Sequence, residues 1–134
     1  MINLSGRRLS IDGVETGVLD SNKFGFDLRG RTYTVRRTGF FGPLYELMRD
    51  GETLASAQQS ATRLRFAVTS GGRTWTLKSE RTIGNKFGLF DGDTRVGGIT
   101  PLSAKDFAID LPVELPLETQ VFLTWLFLWK WSAT

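Results

Sequence analysis

Leu117-Glu118-Thr119-Gln120-Val121-Phe122-Leu123-Thr124-Trp125-Leu126-Phe127-Leu128-Trp129-Lys130-Trp131 is the stretch that decides the fold. From Val121 to Trp129 only Thr124 is polar, so a helix here carries apolar side chains all round and has no stripe to turn toward solvent. Such a helix must be enclosed. The run of nine residues makes about 14 Å of helix at ~1.5 Å per residue, well short of a hydrocarbon core of roughly 30 Å. The stretch therefore predicts a helix over about 117–131 buried inside its own chain, with no transmembrane span. Pro112 and Pro116 frame its approach, Glu118 in the first turn and Lys130 in the last suit the helix dipole, and Thr124 can return its hydroxyl to the Gln120 carbonyl.

The remainder of the 134 residues must supply the enclosure. That length holds one core, not two, and predicts a single domain over 1–134. A hydrophobic fraction of 40%, with ten Phe and four Trp, belongs to a folded chain. Seventeen Lys and Arg against fourteen acids give a net charge of +3. The sequence pI near 9.6 overstates this excess, because with no His few groups titrate near neutrality. The charge mildly favours anionic partners and is too small to predict nucleic-acid binding. Without His or Cys there is no Ser-His-Asp triad, no Cys-His pair, no thiolate or imidazole metal site and no disulfide. No cofactor is expected. Absence of cysteine fits a reducing compartment, and Met1 to Arg8 has no apolar run after its charges, so the chain reads as cytoplasmic.

Turn signals recur at Asp12-Gly13, Gly30-Arg31, Asp50-Gly51, Gly71-Gly72 and Gly92-Asp93, spaced by 18, 20, 21 and 21 residues. Asp-Gly and Gly-Gly suit type I′ hairpin turns, and Gly-X suits type II′. The flanks then predict cross-strand partners: Leu28 with Tyr33, Phe26 with Val35, Leu47 with Leu54, Arg49 with Glu52, Phe66 with Leu77, Val68 with Trp75, and Leu89 with Val96. Each apolar pair puts large residues on one face, and a one-residue slip would break that agreement. Five hairpins give ten strands, with Asp106–Asp110 and Ile2–Leu4 as further candidates. Two packed sheets could not surround a helix that is apolar on every side. A closed antiparallel barrel of eleven or twelve strands could, and closure would also remove unpaired edges.

The hairpins Tyr45-Glu46-Leu47-Met48-Arg49-Asp50-Gly51 and Phe87-Gly88-Leu89-Phe90-Asp91-Gly92-Asp93, followed by Asp106-Phe107-Ala108-Ile109-Asp110 running past two prolines into the apolar helix, carry a family likeness. The chain resembles the tubby C-terminal-like fold, in its LURP-one-related and phospholipid-scramblase-like branch. That resemblance implies a twelve-stranded barrel around a C-terminal helix and binding of phosphoinositide-like head groups on the barrel exterior. The chain lacks the cysteine cluster of palmitoylated scramblases.

Two surface features are candidate binding sites for anionic phospholipid or a protein partner. On the Gly71-Gly72 hairpin, Arg63, Arg65 and Lys78 point outward, and the register sets Arg65 opposite Lys78, an arrangement that opposes strand pairing and reads either as a solvated face or as a patch presented to an anion. Glu80 opposite Arg63 would relieve part of it. The second feature, Arg36-Arg37-Thr38-Gly39-Phe40-Phe41-Gly42-Pro43, joins two cations to two phenylalanines. Phe40 and Phe41 are expected to plug the barrel end, or else to enter a lipid interface beside anionic head groups. A non-enzymatic module is the leading expectation. The alternative is a small hydrolase or sugar-binding protein using carboxylates at the barrel rim, for which Asp91, Asp93, Asp106 and Asp110 are the candidates, although aspartate beside a glycine turn has a backbone reason to be there.

Overall fold

The computed structural model describes residues 2–20, 22–60, 65–80, 86–103 and 105–132. Twelve antiparallel strands lead into one helix: β1 (Ile2–Ser5), β2 (Arg8–Ile11), β3 (Val14–Val18), β4 (Gly25–Leu28), β5 (Arg31–Thr38), β6 (Leu44–Arg49), β7 (Glu52–Gln59), β8 (Arg65–Ser70), β9 (Arg73–Glu80), β10 (Lys86–Asp91), β11 (Thr94–Pro101), β12 (Asp106–Asp110) and α1 (Leu117–Ser132). They form one sheet in the order β3-β2-β1-β12-β11-β10-β9-β8-β7-β6-β5-β4. β12 returns to pair with β1, and the sheet curls until its end strands β3 and β4 are neighbours without a hydrogen-bonded ladder between them. The result is a nearly closed barrel around α1.

The pleat explains why the wall forms. Along β8 burial alternates residue by residue, with Phe66, Val68 and Ser70 inward and Arg65, Ala67 and Thr69 exposed. Inward residues of the wall meet Val121 to Phe127, all of them buried, in one hydrophobic cluster. The outward positions are mostly polar, the reverse of a barrel whose exterior faces lipid chains. No helix among the described residues is long and apolar enough to cross a membrane.

α1 enters at the end of the barrel where β12 finishes and runs toward the opposite end. Its first turn is anchored: the Thr119 and Gln120 amides donate to the Pro116 carbonyl at 3.0 Å, and the Gln120 side chain donates to the Leu115 carbonyl at 2.9 Å. Thr124 Oγ1 donates to the Gln120 carbonyl at 2.9 Å, so its hydroxyl is satisfied inside the core. Phe127 meets Phe87 and Phe107 edge-on at 5.2 and 5.1 Å between ring centroids. Near the far end Trp125 and Trp129 stack at 5.7 Å, Phe24 packs on both, and Trp125 Nε1 donates to the Lys23 carbonyl at 2.8 Å. Residues 23 and 24 belong to the β3–β4 connection, so the seam that lacks a ladder is fastened to the helix instead.

The Gly71-Gly72 hairpin follows the expected register, with Phe66 opposite Leu77, Val68 opposite Trp75 and Arg65 opposite Lys78. Arg49 also stands opposite Glu52. Four other expected pairs, Leu28 with Tyr33, Phe26 with Val35, Leu47 with Leu54 and Leu89 with Val96, are corrected. The β4–β5 tip is Arg29-Gly30, both with positive φ, so Phe26 faces Tyr33 and Leu28 faces Arg31; Leu28 and Tyr33 share the buried face without being partners. Leu47 pairs with Ala55 rather than Leu54, and Leu89 with Gly97 rather than Val96. Both changes come from a β-bulge two pairs in from the tip, and a third lies at the corresponding place between β2 and β3.

Those bulges turn small residues inward. Ala55 and Ala57 face Leu47 and Tyr45, and Gly97 faces Leu89. A Cβ on Gly97 would stand 3.1 Å from the Leu111 Cα and overlap the Asp110 carbonyl, so only glycine lets the chain leaving β12 pass so close.

Removing the helix's largest anchor should therefore be costly. Trp125→Ala is expected to lower stability by about 3–5 kcal/mol, a large share of a typical ~5–15, in urea unfolding. Truncation after Pro116 should leave no cooperatively folded monomer. A cooperative transition in the truncated chain would show that the wall does not need its helix.

Candidate functional site

The antiparallel order places the β1–β2, β3–β4, β5–β6, β7–β8, β9–β10 and β11–β12 connections at the end of the barrel where α1 finishes. Most of the sequence candidates belong to this end. Arg65 opens β8, Lys78 lies near the end of β9, and Lys86 opens β10. Cross-strand pairing makes one row over the outside of the wall, Arg65–Lys78–Gly88–Gly98–Asp110. Arg65 is exposed, and Lys78 is half-buried with its Nζ 4.4 Å from the Phe90 ring centroid. Among the described residues neither cation has a carboxylate within salt-bridge range. Arg63 and the side chain of Glu80 lie outside what the structure describes, and with them the expected relief of charge between them.

The second candidate divides in two. Arg36 is committed to the wall: its Nη2 and Nε donate to Glu46 Oε1 at 2.7 and 3.1 Å, and Thr53 donates to the other carboxylate oxygen at 3.2 Å. Arg37 turns to Tyr45. Phe40 and Phe41, expected to plug the barrel, do the opposite and stand 93% and 92% exposed. The reason is local. Gly39 and Gly42 have φ of 93° and 64°, conformations that lift the intervening residues off the barrel end. The plug at this end is made by Phe24, Trp125 and Trp129 instead.

Sequence reasoning missed the cluster around Tyr45. Its ring is fully buried, while Arg37 Nε donates to its hydroxyl at 3.3 Å, Trp129 Nε1 donates at 3.1 Å, and Lys130 Nζ stands 5.4 Å from the ring centroid. Burial alone would raise the phenol's pKa, but donation from Lys130, Arg37 and Trp129 outweighs it and holds Tyr45 below its ordinary 10.0. Neither Arg nor Trp nitrogen can accept the phenolic proton in return. The inward parity of Tyr45 was readable from its strand; its helix partner, 84 residues on, was not.

Of the four rim carboxylates, Asp91 and Asp106 are occupied. Asp91 pairs with Arg73 at 2.9 Å. Asp106 is held below the usual carboxylate range by hydrogen bonds from Ser5 and Ser103, the latter at 2.8 Å, which is the direction opposite to that of a general acid. Among the described residues no three His, Cys, Asp or Glu converge on a point that could hold a metal. At the β3–β4 seam a cleft of about 500 Å³ is lined by Arg7, Asp20, Lys23, Asp27 and Arg29, charges of both signs. Arg7 reaches Asp20 at 3.7 Å, and Asp27 accepts from Thr32 at 2.7 Å. Comparison with known proteins adds no relative: no family model, no curated protein and no solved structure matches the chain.

The Tyr45 cluster has a pH signature. A phenol whose folded pKa is below its unfolded one contributes stability above pH 10.0, and the contribution fades as pH falls through the folded value. The ultraviolet phenolate absorbance of Tyr45 should develop below pH 10.0, and Tyr45→Phe should remove that early step and weaken the alkaline stabilisation. An unchanged titration in Tyr45→Phe would show that the three donors do not act on this phenol.

Proposed function

We propose that the chain is a non-enzymatic, cytoplasmic module that docks on anionic lipid head groups through the outer basic face near the barrel end where α1 finishes. The observation that carries this reading is Arg65 directly opposite Lys78 with no carboxylate beside them among the described residues. Like charges on neighbouring strands oppose pairing, so their juxtaposition is better explained by an anion outside the wall than by the fold. The buried helix fills the interior and leaves the exterior for binding. The likeness to tubby C-terminal-like and scramblase-like domains, read from the sequence, adds the expectation that the anion is a phosphorylated head group. The engagement of Asp91 by Arg73, and the lowered pKa of Asp106, favour this reading over a carboxylate hydrolase.

Each basic residue near an anionic bilayer is worth about 1 kcal/mol, so losing two weakens partition roughly thirtyfold, and charge reversal weakens it further. Arg65→Glu with Lys78→Glu should accordingly stop co-sedimentation with phosphoinositide-containing vesicles at physiological salt, while circular dichroism stays that of the wild type. Binding by the wild type should also weaken as salt rises. Equal pelleting of variant and wild type would remove this face as the binding surface.

A further inference from the structure

We propose that Phe40 and Phe41 form a preorganised wedge that enters the interfacial layer of an anionic bilayer and seats the barrel end-on, with the end where α1 finishes toward the lipid. The inference rests on the head-group reading above and adds to it an apolar contact, an orientation and a different set of residues.

The two rings are the most exposed aromatic side chains among the described residues, at 93% and 92%, in a chain that buries Phe66, Phe87, Phe122 and Phe127 almost completely. Their exposure is built in. Thr38 and Leu44 close the β5–β6 ladder below the loop, the Gln58 side chain donates to the Gly42 carbonyl, and the Gln59 amide donates to the buried Pro43 carbonyl at 3.0 Å. The base of the loop is thus tied to β7, while Gly39 and Gly42 at positive φ hold the tip outward. A tip held in this way loses little conformational entropy on insertion.

Size and charge select the occupant. A buried aromatic side chain contributes about 150–250 Å², so two offer roughly 300–500 Å², short of the ~800 Å² per partner of a stable protein interface. A bilayer needs no matching pocket for a convex tip. Arg65, two strands along the sheet from β6, lies about 10 Å from the loop's flank at ~4.8 Å per strand, with Lys78 and Lys86 beyond it at the same end. Of the acids at this end whose side chains are described, Glu46 is engaged by Arg36 and Asp20 by Arg7. Apolar tip and cationic flank together match the interfacial region of a membrane with anionic head groups.

The chain has no cysteine, so one introduced thiol carries one label. Val113, 92% exposed in the segment leading into α1 at the opposite end, supplies the control. A polarity-sensitive fluorophore at Phe40→Cys should brighten and shift to the blue on anionic vesicles, and the same fluorophore at Val113→Cys should not. Phe40→Ala with Phe41→Ala should weaken vesicle partition on the order of tenfold to hundredfold without changing thermal unfolding or the dependence on salt. If the double alanine variant pellets like the wild type and the label at position 40 stays aqueous while Arg65→Glu with Lys78→Glu still abolishes binding, the wedge is wrong and the head-group reading stands. No vesicle binding by the wild type overturns both. A concentration-dependent dimer lost in the double alanine variant assigns the tip to a second copy of the chain and overturns the wedge.

Discussion

A helix with no polar face imposes the constraint from which the rest of this structure follows. Val121 to Phe127 are all buried, so apolar surface must meet them from every direction. Two layers cannot do this; a wall that goes round can, and the wall needs enough strands to leave an interior one helix wide. Twelve strands bring the sheet back to itself except at β3 and β4. There α1 completes the enclosure, since Trp125 holds the Lys23 carbonyl and Phe24 covers Trp125 and Trp129. Wall and helix are stabilised by the same contacts, and neither has another place to bury its apolar face.

Curling a meander around a helix requires local bends, and their placement is regular. The three bulges fall on β3, β7 and β11, every fourth strand in the sheet order. Each is the return strand of a hairpin, and each presents small residues to the inside beyond the bulge: Gly17 opposite Leu9, Ala55 and Ala57 opposite Leu47 and Tyr45, Gly97 opposite Leu89. Small residues facing large ones let the wall approach the helix without voids or overlap. The bulge is thus a register device as well as a bend, because it brings the small residue rather than its bulkier neighbour to the inner face.

This explains which parts of the fold were legible in the amino-acid sequence. Gly71-Gly72 was read correctly because either glycine can take the positive φ of a type I′ turn and both neighbours alternate cleanly. At Gly30 the turn uses the glycine in its second position with Arg29 at a φ of 50° before it, so reading Gly30 as the first position displaced each partner by two residues and kept the face. Leu54 and Val96 look like core residues beside Ala55 and Gly97, and periodicity cannot reveal that a bulge has passed the inward place to the smaller neighbour. Phe40 and Phe41 failed for a related reason. Their apolarity argues for the interior, but their position is set by two glycines and by Gln58 and Gln59 from another hairpin. Of the candidate site, the pairing of Arg65 with Lys78 was readable from a turn, whereas the loss of Arg36 to Glu46 depends on the neighbouring hairpin.

The helix also constrains which cations at its far end can face a partner. Its C-terminus carries about half a negative charge, which has to be offset within the molecule if an anionic surface is to come up end-on. Lys130 lies in the last turn and approaches Tyr45, whose hydroxyl also receives Arg37 and Trp129. These two cations are therefore occupied within the molecule, answering the helix terminus and an acidified phenol. Arg7 and Arg36 are likewise held by Asp20 and Glu46. Charge on the wall is differently placed. Arg65 and Lys78 stand on β8 and β9, outside the enclosure, with the sheet between them and the helix terminus. An external anion would thus meet the wall cations beside the projecting phenylalanines and not the basic residues over the helix end, which already have work to do inside the fold.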